Sequence, residues 1–225
     1  MAEQGGEVPN GTDGRSVQDR LVEAAEELFC RHGFNETSVR DIAAAAGCNI
    51  ASINYYFGGK DNLYKEIWRQ RLASMRDVRL ASIEAVMSGD KPPELEDLLR
   101  AYAGAFLEPL IDGDPVCRFG TLMAREMIDP RLSPEIFLDG MVVPVMSKLT
   151  DALQTLCPRL DETGARYAIL SIVGQLVHAL AAKGMFERSD HPDFPPLDMG
   201  EFVKHIVRFS AAGIRACADG TGEGA

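Results

Sequence analysis

The chain has 225 residues, 46% of them hydrophobic, and a formal net charge of -11. That is enough apolar content for one small and one larger domain, while the acidity argues against strong non-specific attraction to DNA. Five scattered cysteines (Cys30, Cys48, Cys117, Cys157 and Cys217) include no CxxC pair, which argues against a disulfide framework and fits a reducing cytoplasm.

Strand signals are few and helical periodicity dominates, so the chain reads as all-α. Residues 1–14 are acidic, lack an apolar run and read as a disordered tail rather than a signal peptide. An amphipathic helix follows over 17–32. Leu21, Ala24, Ala25, Leu28 and Phe29 form its buried face, with Asp19, Glu23, Glu26 and Glu27 solvated. Gly33 closes it. Ser38 and Asp41 have capping-box spacing ahead of Val39, Ile42, Ala43 and Ala46, which recur at helical spacing. Gly47 ends this second helix at an expected positive φ. Asn49 is placed to cap a third helix whose Ile50, Ile53 and Phe57 point inward. Ser52, Asn54, Tyr55 and Tyr56 are then left more exposed, and Gly58-Gly59 breaks the helix.

Two short helices around a glycine turn form a helix-turn-helix, a shape that fits the major groove of duplex DNA. Between Thr37 and Lys60 the only acid is Asp41, set against Arg40 and Lys60. The short polar and aromatic groups of this stretch, Asn49 among them, suit base edges and phosphates.

The stretch 21–67 resembles the DNA-binding domain of TetR-family transcriptional regulators. The resemblance is carried by AAEELFCRHGFNETSVRDIAAAAG, then NYYF, then GGKDNLY. The commonest family pattern has Tyr where this chain has Asn54. Asn54-Tyr55 looks more like the CecR-like branch, which usually has His at the position of Tyr56. Residues 125–130 and 171–175 also look like the C-terminal domain of that branch. The resemblance implies a homodimer on a palindromic double-stranded operator, and a repressor released by a small apolar effector. Asn54, Ser52 and Tyr56 are then candidates for base edges. Thr37, Tyr55 and Lys60 are candidates for phosphates, and Arg40 for either.

Downstream of this domain (15–63), a helical ligand-binding and dimerisation domain is predicted over 64–218, ahead of a flexible tail at 219–225. One long helix over 60–87 joins the two, with Leu63, Ile67, Leu72, Met75, Val78 and Ile83 on its apolar side. About five more helices follow: 94–111, 116–128, 135–157 with an interruption near Pro144, 161–183, and 199–218. Turns are expected at 112–115 and 129–134, and a loop at 191–196. The longest uncharged stretch, 167–182, is shorter than a bilayer span and reads as a buried helix. Small residues stud the last two helices (Ala168, Ser171, Gly174 and Ala181; Ser210, Ala211, Gly213 and Ala216), as a close helical seam between two copies requires.

Phe106, Phe119, Met123, Met127 and Met146, with Phe137 and Met141, are candidates for an adaptable apolar pocket, although such residues at helical spacing also build ordinary cores. Gln175 and His178 share a helical face and are candidates to orient a ligand. No zinc spacing, phosphate loop, Gly-x-Ser-x-Gly elbow or HExxH occurs, so no metal, cofactor or catalytic residue is expected. The competing class is a helical enzyme or protein-interaction module that keeps the helix-turn-helix shape without binding DNA.

Overall fold

The computed structural model describes residues 16–111, 114–188 and 197–220, without the side chains of 109–119. The expected tail at 1–14, the loop at 191–196, positions 112–113 of the expected turn and positions 221–225 of the tail expected at 219–225 lie outside the described residues, while 219–220 continue the last helix instead. Among the described residues every regular element is helical. The chain divides into two compact units, Met1–Ile67 and Trp68–Ala225.

The first unit contains α1 (Val17–Glu36), α2 (Val39–Ala45), α3 (Ala51–Phe57) and the start of α4 (Lys60–Met87). Ser16 caps α1 and Ser38 caps α2. Each hydroxyl accepts a backbone N–H three residues on, and Asp19 or Asp41 reaches back to close a capping box. Gly33 has φ 83, which breaks α1 one turn before its last residue. Gly47 at φ 60 and Gly58 at φ 72 make the turns on either side of α3, a left-handed region that glycine enters without steric cost.

Leu21, Ala25, Phe29, Ile42, Ile53, Leu63 and Ile67 are fully buried and form one small core. Each large apolar side chain withdrawn from water contributes on the order of 1.5–3 kcal/mol. Phe29, Phe34 and Tyr64 close it as an aromatic cluster with ring centroids 5.0–5.4 Å apart. Two expectations fail here. Glu26 is not solvated but only 5% exposed. Ile50 does not point inward: it precedes the first turn of α3 and is 45% exposed, and Ile53 alone of that helix is fully withdrawn.

The second unit contains the rest of α4 with α5 (Leu95–Ile111), α6 (Asp114–Ile128), α7 (Pro134–Phe137), α8 (Val143–Leu156), α9 (Glu162–Phe186) and α10 (Met199–Gly220). The core gathers Leu98, Leu99, Leu149, Leu153, Ile169, Leu176 and Ile206, where α9 packs on α10, α8 and α5. Val78, expected on the apolar side of α4, is exposed. Between α7 and α8, residues Leu138–Val142 form a π-helical turn. Pro144 is its cause: it has no N–H to offer the Gly140 carbonyl. Arg76 donates to that carbonyl instead, at 3.4 Å, and the Val143 N–H reaches back five residues to Leu138.

α9 departs from the expected buried helix. Ala165, Ile169, Ile172, Leu176 and Ala179 are buried, but Tyr167, Leu170, Val177 and Met185 are exposed. Its 25 residues are long and apolar enough to cross a membrane by length and composition, although one face packs within the unit. Phe209, with Ala212, Gly213 and Ala216, continues an exposed small-and-apolar surface on α10.

Glu126, at the end of α6, is buried. Its Oε1 accepts the backbone N–H groups of Arg131 at 2.5 Å and Leu132 at 2.6 Å, which fixes the chain between α6 and α7. Glu126→Ala leaves both donors without that acceptor and should cost about 1.5–3 kcal/mol. Chemical denaturation should show a lowered midpoint, with Glu126→Gln, which keeps an acceptor oxygen, closer to the parent.

Candidate nucleic-acid interface

α3 is only seven residues long and has no stability of its own; its neighbours place it. Ile53 anchors it in the core, the Asn49 side chain accepts the Ala51 N–H at 2.9 Å, and the Gly58 N–H closes the far end on the Asn54 carbonyl at 2.9 Å. Asn49 therefore caps the first turn as expected, though the residue next to the helix is Ile50. The outer face carries Asn49, Ile50, Ala51, Asn54, Tyr55 and Tyr56, with Ser52 half-buried. Tyr55 is 81% exposed, and its ring meets Tyr56 edge to face with centroids 4.9 Å apart. Exposed aromatic surface of this kind needs a partner to be covered.

Arg40 is exposed on the neighbouring α2. Asp41, the acid of this stretch, is tied down: the Ser38 hydroxyl donates to it at 2.6 Å and the Ser38 N–H at 3.1 Å. The Ser38 bonds hold its carboxyl below the usual range, so its negative charge persists and is spent at the start of α2, where it opposes the helix dipole.

Two residues assigned to phosphates have other partners. Thr37 is 2% exposed, and its hydroxyl donates inward to the carbonyls of Gly33 at 2.8 Å and Leu28 at 3.2 Å. The Lys60 ammonium donates to the carbonyls of Phe34 and Thr37, both at 2.9 Å, and lies 4.2 Å above the Phe34 ring. Two of its three N–H groups are thereby engaged inside the unit. Beneath the turn, Arg20 donates to Cys48 Sγ at 3.5 Å, and Cys48 in turn to the Ala46 carbonyl at 3.2 Å. Arg20, directed inward, was not singled out from sequence, and Ile50 was singled out only as an inward residue. The position of Ile50, ahead of the first helical turn, is the available signal for its exposure.

Of the residues assigned to a ligand in the second unit, Phe106 lies in the core cluster with Met141 and Met146 packed against it. Phe106 is buried, and Met123 and Met146 are half-buried. Met127 is 77% exposed, which sets it apart from the others. The Phe119 side chain lies outside the described residues. Gln175 donates to Ser210 Oγ at 3.3 Å and to the Ser171 carbonyl at 3.2 Å, while His178 is on the exposed face of α9. Phe137 stacks edge-on against Trp68. Among the described residues no cluster of three or more His, Cys, Asp or Glu is placed to hold a metal ion.

Family comparison decides between these readings. Residues 21–67 match the family model described as "Bacterial regulatory proteins, tetR family". Residues 95–214, more than half of the chain, match the C-terminal domain of the HTH-type transcriptional dual regulator CecR. The chain belongs to the TetR family, in its CecR-like branch. It is 29% identical to CecR of Shigella flexneri over 143 residues, which is 61% of this chain and 63% of CecR. It is 46% identical over 52 residues to the "Probable HTH-type transcriptional regulator YttP" of Bacillus subtilis (strain 168), covering 23% of this chain and 25% of YttP. The chain thus spans less than two thirds of the length of either relative. Among solved structures, FadR of Bacillus subtilis in complex with stearoyl-CoA shares the fold with a TM-score of 0.66 at 16% identity, over 87% of this chain and 98% of FadR. TetR-family membership sets aside the helical-enzyme alternative.

Lys60 is the sharpest structural test within the TetR-type unit. Lys60→Met keeps the stem over Phe34 but removes the donor from two carbonyls, at a cost of about 1.5–3 kcal/mol. Amide hydrogen exchange should accelerate across 34–38 and 60–64 in the absence of any DNA.

Proposed function

We propose that the chain is a dimeric, sequence-specific DNA-binding transcriptional regulator, a repressor that a small effector releases from a palindromic operator. The observation that carries this reading is the outer face of α3, which presents Asn54, Tyr55 and Tyr56 on a helix anchored only by its opposite side. Asn54 is suited to the paired donor and acceptor of an adenine edge. Ile50 and Ala51 suit thymine methyl groups, Tyr55 and Ser52 suit phosphates or bases, and Arg40 suits a phosphate. Thr37 and Lys60 act by position, holding the turns beside α3 rather than meeting DNA through their inward-directed groups.

The exposed faces of α9 and α10 support a dimer. A helix apolar all round belongs in a buried setting, yet α9 is covered on one side only. A side chain built at Gly174 or Gly213 would meet nothing within 4 Å in a single chain. Packing inside one copy therefore does not demand glycine there, whereas close approach of a second copy does. A seam of this kind also accounts for the apolar length of α9 in a protein that works on DNA in the cytoplasm. Two α3 helices would then address successive turns of the duplex, about 34 Å apart.

Effector binding in the second unit would favour a conformation whose two reading helices are wrongly spaced. Operator affinity falls by as much as the effector discriminates between the two states. The presence of a ligand in the FadR structure is in keeping with such a unit.

Electrophoretic mobility shift on a library of palindromic duplexes tests the reading. Asn54→Ala should change which sequences are preferred. Arg40→Ala should weaken binding to all of them and lower the salt slope by about one. Parent-like behaviour from both variants would falsify these assignments. Gly213→Gln should leave the helical circular dichroism intact and shift sedimentation from dimer to monomer; an unchanged dimer would contradict the α9–α10 seam.

A further inference from the structure

Arg79, on α4 in the second unit, is a buried cation with no carboxylate partner among the described residues. Only 3% of its surface is exposed. Its guanidinium carbon lies 4.3 Å above the Phe106 ring, and Nη1 donates to Met141 Sδ at 2.9 Å, a weak acceptor. Nε is buried with no hydrogen-bond partner. No carboxylate among the described side chains pairs with it.

Tyr102, on α5, is the neighbouring polar group. It is also buried, and near enough for Arg79 and its phenol each to influence the other's ionisation. Its hydroxyl makes no hydrogen bond to any described residue. Two donors therefore converge in an apolar wall of Phe106 and Met141, with no oxygen of the described residues to receive them. Burial pushes the Arg79 guanidinium below its ordinary value and the Tyr102 phenol above its own. Yet a guanidinium does not give up its proton in a protein, so the charge is retained at a desolvation cost that a buried counter-ion would offset.

We propose that Arg79 and Tyr102 receive the acidic head of an amphiphilic organic anion, whose apolar body lies along Phe106 and Met141. The inference rests on the reading of the second unit as the effector domain, and it narrows the effector from an apolar compound to an apolar acid. The planar fork of arginine matches the two oxygens of a carboxylate, and equally a phosphate monoester. A cation–π stack with the aromatic ring would persist beneath the bound head. The bland alternative is a purely structural Arg79, stacked on Phe106 and binding nothing.

The test uses the full-length chain without DNA, so that its failure is distinct from failure of the regulator reading. Sodium decanoate, decyl phosphate, 1-decanol and decyltrimethylammonium are titrated, and binding is read by calorimetry and by the fluorescence of Trp68, the chain's one tryptophan. We expect one or both anions to bind at least about tenfold more tightly than the alcohol, and the ammonium not at all. Whichever anion is tighter identifies the head group. Arg79→Met should bring anion and alcohol to the same affinity. Arg79→Lys, which keeps the charge and guards against a misfolded Met variant, should weaken the anions and leave the alcohol unchanged. The proposal is overturned if no probe binds, if the alcohol matches the anions on the native chain, or if either substitution leaves the preference for anions intact.

Discussion

The Lys60 ammonium, shared between the carbonyls of Phe34 and Thr37, is the constraint on which the first unit depends. It ties the start of α4 to the link between α1 and α2, and α3 hangs between those two points. α2 and α3 are seven residues each, well below the length at which a helix is stable in water. Their shape is thus a property of the unit: the core around Phe29 and Ile53, the inward Thr37 hydroxyl and the two glycine turns. The same arrangement leaves the outer face of α3 free of internal duties, so Asn54 and Tyr55 are available to something else.

Charge fits this division of labour. A chain at -11 is repelled by a polyanion as a whole, so the face proposed to meet DNA would have to work by local composition. From Thr37 to Lys60 the single acid is bound to its own helix start by Ser38. A weak non-specific attraction combined with short-range contacts favours recognition of shape and base edges over indiscriminate coating of DNA. In the second unit the corresponding economy is one of apolar surface. α9 buries one side against α10, α8 and α5 and leaves the other bare, which a second copy would cover.

Local rules made the helices legible. Serine caps, glycines at positive φ, and the i, i+3, i+4 apolar spacing of Leu21, Ala25 and Phe29 depend on neighbours within one turn, and the sequence displays them directly. The interruption before Pro144 was legible for the same reason, since a missing N–H is a local fact. What was not legible depended on distant partners. Glu26 and Arg79 carry charges that composition assigns to solvent, yet tertiary packing buries both. Thr37 and Lys60 occupy positions next to the candidate DNA face, and only coordinates reveal that their polar atoms turn inward. Ile50 was placed inside by its apolarity, whereas its place ahead of the helix puts it outside. His178 was read as lying within a buried helix because α9 is apolar on every side, and periodicity cannot say which side faces another molecule.

Selection of bound duplexes from a fully random library, followed by sequencing, tests the central claim most directly. The account expects a two-fold symmetric consensus whose half-sites lie about one helical turn apart. Enrichment of no sequence at low salt, or of a single unpaired half-site, would contradict it.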